Sequence, residues 1–133
     1  LDRIKREGHT LGNHGYDHLD GWRITTPEFV SNQKKGAAIT GSELFRPPYG
    51  RAWPWQLSQL TDTRTVMWDV LSGDFDKDLS QDQVVDNVVS NAKGGSIILM
   101  HDSAKTKHHV LSALPPIIRG IRDSQLEFGR SLY

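Results

Sequence analysis

The stretch that most restricts how this chain folds is Ser96-Ile97-Ile98-Leu99-Met100, an apolar run set between Gly94-Gly95 and His101-Asp102. A run without polar alternation reads as a strand of a parallel sheet covered on both faces. Parallel strands require crossover connections, and helical patterns lie on either side of the run. Ser80 and Gln83 form a capping box that opens a helix whose Val84, Val85, Val88, Val89 and Ala92 share one face, with Gly94-Gly95 ending it. Beyond the run, Leu111, Leu114, Ile117, Ile118 and Ile121 predict a last helix over 110–123, in which Pro115-Pro116 argues for a break or an offset start.

The alternation continues upstream. Leu1 and Ile4 read as the last turns of a helix stopped by Gly8, and Thr10-Leu11-Gly12 as a short strand. Thr25 and Glu28 are spaced as a capping box, with Pro27 in the first turn, for a helix reaching about Gly41. Glu43-Leu44-Phe45 predicts a strand, and Arg46-Pro47-Pro48-Tyr49-Gly50 a rigid, non-helical turn at its end. A short helix over 53–60, a strand over 65–68 and a closing strand over 126–128 complete the pattern. Helix and strand in alternation predict a parallel α/β sheet with crossover helices, with no repeat or linker, hence one domain over 1–133.

Composition limits the function classes. Sixteen basic residues balance sixteen acidic ones, so no bulk field favours nucleic acid or an anionic membrane. No apolar run approaches the ~20 residues of a membrane-spanning helix. The chain has no cysteine, so a metal would be held by imidazole, carboxylate or water.

Parallel α/β sheets carry their chemistry at the carboxyl ends of strands, and the polar punctuation falls there. His14 and His18 are four apart, a spacing that puts both imidazoles on one face of a helical turn and lets them converge on one ion. Three further groups follow: Arg46 to Tyr49, Asp69 to Asp74, and His101-Asp102.

Four motifs in order, Gly8-His9-Thr10-Leu11-Gly12-Asn13-His14 through His18, Arg46-Pro47-Pro48-Tyr49-Gly50, Trp68-Asp69 through Asp74-Phe75, and Ile98-Leu99-Met100-His101-Asp102-Ser103, make the chain resemble the polysaccharide deacetylases, carbohydrate esterase family 4 or the NodB-homology domain. The resemblance implies a distorted, incomplete parallel (β/α) barrel. It also implies metal-dependent removal of acetyl groups from N-acetylglucosamine polymers such as chitooligosaccharide or peptidoglycan, or from O-acetylated xylan. His14 and His18 inherit the role of ligands to a divalent ion, zinc first, which activates water and polarises the acetyl carbonyl. Arg46 would hold the catalytic carboxylate and the Tyr49 backbone amide would bind the oxyanion. His101 fits the general acid, oriented by Asp74, while Leu99 would form part of the acetyl-methyl pocket and Pro48 and Phe75 would face the sugar.

Two departures from the family pattern concern tuning. Gly15 stands where Ser or Thr is preferred, removing a loop-stabilising hydroxyl, and Phe75 stands where Trp is common. A third is more serious, because the family's Asp-Asp motif supplies the catalytic base and the third metal ligand, and no Asp-Asp pair occurs in these 133 residues. Leu1 falls within what would be the helix before the histidine motif, so the chain is expected to be a domain truncated on its N-terminal side, lacking its first strands. Such a polypeptide alone is expected to bind zinc weakly and turn over little, with Asp17, Asp20 and Asp69 the carboxylates to test as substitutes. The competing readings are a degenerate, non-catalytic carbohydrate-binding member and an unrelated metal hydrolase using His14, His18 and Asp102. Trp22, Trp53 and Trp55 are candidates for sugar stacking or for loop packing. Lys105, Lys107, His108 and His109 read as a solvated helix start. Localisation and oligomeric state are not set by these residues, although members of the family are often exported.

Overall fold

Thr25 begins the longest helix of the amino-terminal half by satisfying its own first turn. Its hydroxyl accepts from Glu28 N, and the Glu28 carboxylate accepts from Thr25 N at 2.9 Å. In the computed structural model, which describes residues 2–129, the chain forms two compact units, 2–67 and 68–129.

In the first unit, α1 (Asp2–Arg6) stops at Gly8, whose φ of 79° matches the left-handed stop expected of it. Helix α2 (Thr26–Thr40) ends at left-handed Gly41, as its sequence predicts. Strand β1 (Leu44–Phe45) leads through the proline turn to α3 (Pro54–Leu57) and β2 (Arg64–Thr65), which pairs with β1 in parallel register, Leu44 opposite Arg64. Phe29, Phe45 and Leu60 form the core, with the two phenyl rings edge to face at 5.8 Å. The strand expected over Thr10–Gly12 is reduced to a single parallel bridge between Asn13 and Phe45.

In the second unit, β3 (Val70–Leu71) pairs in parallel with β4 (Ile98–Leu99), on either side of α4 (Gln81–Val89), and α5 (Lys107–Asp123) follows. The Ser80–Gln83 capping box forms. Val70, Val84, Val88, Ala113, Ile117 and Ile121 make the core.

Four expectations are corrected here. The run over 65–68 is not one strand: Val66 N still bonds to Phe45 O at 2.8 Å, but Val70 N turns to Ile97 O, so neighbouring residues serve two different ladders. Ser96 to Met100 is half-buried rather than covered on both faces, and among the described residues β4 pairs with β3 alone. Helix α5 starts at Lys107 and runs unbroken through Pro115 and Pro116, with Leu111 65% exposed. An interior proline costs about 3 kcal/mol, and the packing of Ala113, Ile117 and Ile121 against α4 offsets it. Leu126 to Phe128 is no strand but the cap of α5. Gln125 adopts φ 61°, Leu126 N bonds back to Ile121 O at 3.2 Å, and the Leu126 side chain packs on the core.

Asp69 clamps the start of β4, accepting from Ile97 N at 2.7 Å and from the Ser96 hydroxyl at 2.9 Å. The Ile97 amide first, then Ser96, hold its carboxyl below the ordinary value of 3.8. With the folded value depressed, the stabilisation is complete above the ordinary value and is lost as pH falls through the folded one. Asp69→Asn is therefore expected to remove that increment of acid sensitivity. Urea unfolding at a series of pH values checks this, and identical acid slopes in parent and variant would refute it.

Candidate functional site

The histidine loop is built from amides rather than from a helical turn. Residues 14–18 are irregular, with Gly15 at φ 80° and His18 itself left-handed at φ 55°. The two imidazoles still meet, ring centroids 4.9 Å apart and planes at 73°, both exposed. Buried Asn13 accepts from Gly15 N at 2.9 Å through its side-chain oxygen and donates to Gln33 O on α2 at 2.7 Å. Buried Asn32, also on α2, accepts from Tyr16 N and Asp17 N and donates to the Asp17 carboxylate at 2.6 Å. This explains Gly15. A Cβ there would stand 3.0 Å from the Asn32 side-chain oxygen, on a backbone that L-residues seldom adopt, so the loop is braced by Asn32 instead of by a hydroxyl at position 15.

His14 Nδ1 lies 2.7 Å from the carbonyl oxygen of Arg46. A carbonyl only accepts, so Nδ1 carries a proton. Arg46 itself donates from its main-chain N to Asn13 O at 2.9 Å and from Nε to Val66 O at 3.0 Å. Partial burial draws its guanidinium below the ordinary value. Pro47 and Pro48 are buried under the turn that follows, and Tyr49 projects from it at φ 59° with its ring 4.8 Å from that of His18. Left-handed backbone costs an L-residue about 1–2 kcal/mol, and His18 and Tyr49 are two of the three non-glycine residues that adopt it among those described. Backbone strain of this kind clusters at active sites and ligand clamps, and no sequence periodicity carries it.

In the second unit, Asp74 is 1% exposed and binds His101 twice, accepting from its main-chain N at 2.6 Å and from Nδ1 at 2.8 Å, with the Ser72 hydroxyl as a third donor. His101 is thus fixed with Nε2 turned away from its partner. Phe75 stands edge to face on the His101 ring at 5.5 Å, and Leu99, two residues before His101, is half-buried on β4. Two residues outside the expected set complete the frame. Thr106 is buried and donates to His101 O at 2.9 Å, and His109 Nδ1 donates to Asp74 O at 3.2 Å. His109, expected as part of a solvated helix start, is half-buried in that frame instead.

A divalent metal fits two of the donors in the first unit. A ligating histidine usually donates its other ring N–H to a carbonyl or carboxylate, as His14 does. Among the described residues no group of three or more His, Asp or Glu is gathered to hold an ion. Of the carboxylates near the loop, Asp17 is taken by Asn32, and Asp20 by Arg51 and the Trp22 amide.

A family description of polysaccharide deacetylases matches residues 1–68. A peptidoglycan-N-acetylglucosamine deacetylase of Bacillus cereus is 33% identical over 77% of this chain and 40% of its own length. A chitooligosaccharide deacetylase of Azorhizobium caulinodans is 32% identical over 72% of this chain and 50% of its own. Among solved structures, a peptidoglycan N-acetylglucosamine deacetylase in complex with an N-hydroxy benzamide superposes with a TM-score of 0.87 at 29% identity, covering 96% of this chain and 63% of that one. A family 4 carbohydrate esterase from Streptomyces lividans in complex with acetate gives 0.78 at 30% identity, covering 96% and 68%. The chain spans about half the length of the two curated relatives named here, and its parallel α/β architecture is a portion of the NodB-type (β/α) barrel. By this likeness the chain belongs to the polysaccharide deacetylase family.

Proposed function

We propose that the protein carrying this chain is a metal-dependent hydrolase that removes acetyl groups from polysaccharides, N-acetylglucosamine polymers such as chitooligosaccharide or peptidoglycan first and O-acetylated xylan second. The observation that carries the reading is the setting of His14: its Nδ1 donates to a main-chain carbonyl, as a ligating histidine usually does, with the His18 ring 4.9 Å away. His14 and His18 would hold the ion, with zinc the first choice. When bound, it would supply Lewis-acid polarisation of the acetyl carbonyl and a nucleophilic water at neutral pH. Arg46, pinned by Val66 O, is assigned to orient the catalytic carboxylate. The Tyr49 amide, on a turn stiffened by Pro47 and Pro48, is assigned to the oxyanion, because a preorganised donor loses little entropy as charge develops. His101, held by Asp74, delivers a proton from Nε2 to the departing sugar amine. Leu99, Pro48 and Phe75 are assigned to shape the acetyl and sugar contacts.

The test compares the 133-residue polypeptide with the complete open reading frame. Zinc titration by calorimetry is expected to show the polypeptide binding more weakly by at least the ~10–100-fold that losing an outer-shell partner costs. Acetate release from chitooligosaccharide is expected only from a protein that also brings an Asp-Asp pair. Tight zinc binding with turnover by the polypeptide would overturn the assignment of the missing ligand. The degenerate-member reading would be favoured by a complete protein with no Asp-Asp pair on a strand upstream of the histidine loop. Oligosaccharide binding without acetate release by the complete protein would establish it.

A further inference from the structure

Three of the four tryptophans of this chain stand in one exposed group on the first unit. Trp53 and Trp55 stack with ring centroids 4.9 Å apart and planes only 6° from parallel, and Trp22 lies 5.9 Å from Trp53. They are 40%, 56% and 53% exposed, and clustered apolar exposure of this kind marks an interaction surface.

The group is held by a buried scaffold. Gln56 is completely buried. Its side-chain oxygen accepts from Trp53 N at 2.8 Å, and its amide nitrogen donates to Gly21 O at 2.9 Å and to Ile24 O at 3.4 Å. One glutamine thereby ties the turn bearing Trp22 to α3, which bears Trp55 and is capped by Trp53. Gly21 lets the two segments close, since a Cβ there would overlap the main-chain oxygen of Arg51. Asp20 accepts from Trp22 N at 3.0 Å and from Arg51 Nη1 at 2.8 Å, which sets the guanidinium 5.0 Å over the Trp22 ring and 5.9 Å over that of Tyr49. Pro54, in the first turn between the stacked indoles, restricts the backbone further. Surfaces fixed in advance in this way lose little entropy on binding.

We propose that Trp22, Trp53 and Trp55 form a carbohydrate platform that takes sugar rings of a β-1,4-linked polymer beyond the residue undergoing deacetylation. The identity of the polymer rests on the deacetylase reading above, whereas the platform itself rests on these contacts. Flat, preorganised indole faces suit the apolar C–H face of a pyranose. The group is also continuous with the candidate metal histidines: His18 touches Tyr49, Arg51 spans Tyr49 and Trp22, and Trp22 leads to the stacked pair. A polymer seated at the histidines therefore meets aromatic surface along its length. Gln56 and Asp20 act as positioning residues.

Calorimetry on the complete protein with cellohexaose tests this, because that oligomer offers the same linked pyranose faces and carries no acetyl group to turn over. Trp55→Ala is expected to weaken binding about 10-fold, the loss of one aromatic contact, and Trp55→Phe to restore most of it. Trp55 is largely exposed, so the fold tolerates the change, and thermal unfolding verifies that. In turnover, the ratio of kcat/KM for chitohexaose over chitobiose is expected to fall by a similar factor through KM. Undiminished cellohexaose binding by Trp55→Ala and by the Trp53→Ala, Trp55→Ala pair would overturn the platform even if acetate release is normal. Tryptophan-dependent binding without any acetate release would leave the platform standing and sink the deacetylase reading. Sedimentation showing that Trp55→Ala disperses an oligomer with cellohexaose binding intact would reassign the patch to protein contact.

Discussion

Asp74→Asn is expected to lower turnover of the complete protein by about 10²–10⁴-fold, the span associated with a positioned general acid, and to destabilise the fold at the same time. The carboxylate receives three donors in a fully buried position: the main-chain N and Nδ1 of His101 and the Ser72 hydroxyl. Asparagine offers one oxygen and turns an NH₂ group toward at least one of those donors. A buried donor left facing another costs about 1–3 kcal/mol. The imidazole of His101 would then be free to adopt the other tautomer or to rotate. The expected signature is a fall in kcat with KM little changed, together with a lower urea midpoint. His101→Ala should lose comparable activity by removing the acid itself, while leaving the Ser72–Asp74 contact. Activity of Asp74→Asn within threefold of the parent would remove His101 and Asp74 from the reaction.

Gly36→Ala is the second large effect, and its sign separates two kinds of reasoning. By helix propensity alone, alanine in the middle of α2 should gain about 1 kcal/mol over glycine. The structure reverses this. A Cβ at position 36 would fall on the side-chain oxygen of Asn13, with the carbonyl carbon of Gly15 at 3.1 Å. Both neighbours are parts of the histidine loop, and Asn13 is 1% exposed with its hydrogen bonds already placed. Relieving the overlap means pushing the loop away from α2, so Gly36→Ala is expected to cost about 1–3 kcal/mol, typical of overpacking, and to weaken zinc binding as well. Denaturant unfolding with zinc titration on the same variant reads both. A stabilised variant with unchanged metal affinity would show that the loop does not depend on this contact.

The helix α2 shows why some of the site was legible and some was not. Its boundaries follow from local chemistry alone, a Thr25–Glu28 box at one end and left-handed Gly41 at the other. Its buried face, Phe29, Asn32, Gln33 and Gly36, keeps the i, i+3, i+4, i+7 spacing of a core stripe, yet two of the four are amides and one has no side chain. Hydrophobic patterning cannot register such a face, so the braces of the histidine loop went unseen, although buried amides on a core stripe are themselves a signal. Gln56 was missed for the same reason. The expected strands over 43–45 and 96–100 contain β1 and β4, but β3 carried no signal of its own and the strand over 126–128 does not form, because ladders only two residues long are set by tertiary pairing. The Asp74–His101 pair carried a recognisable motif, while Thr106 and His109 carried none, because their roles arise from where α5 begins.

The donor on the His14 ring meets an acceptor that belongs to the main chain of residue 46, not to its side chain. Exchanging the guanidinium therefore leaves the His14 Nδ1 bond in place, so Arg46→Ala is expected to lower turnover while leaving zinc affinity unchanged, a split that zinc titration beside acetate release reads.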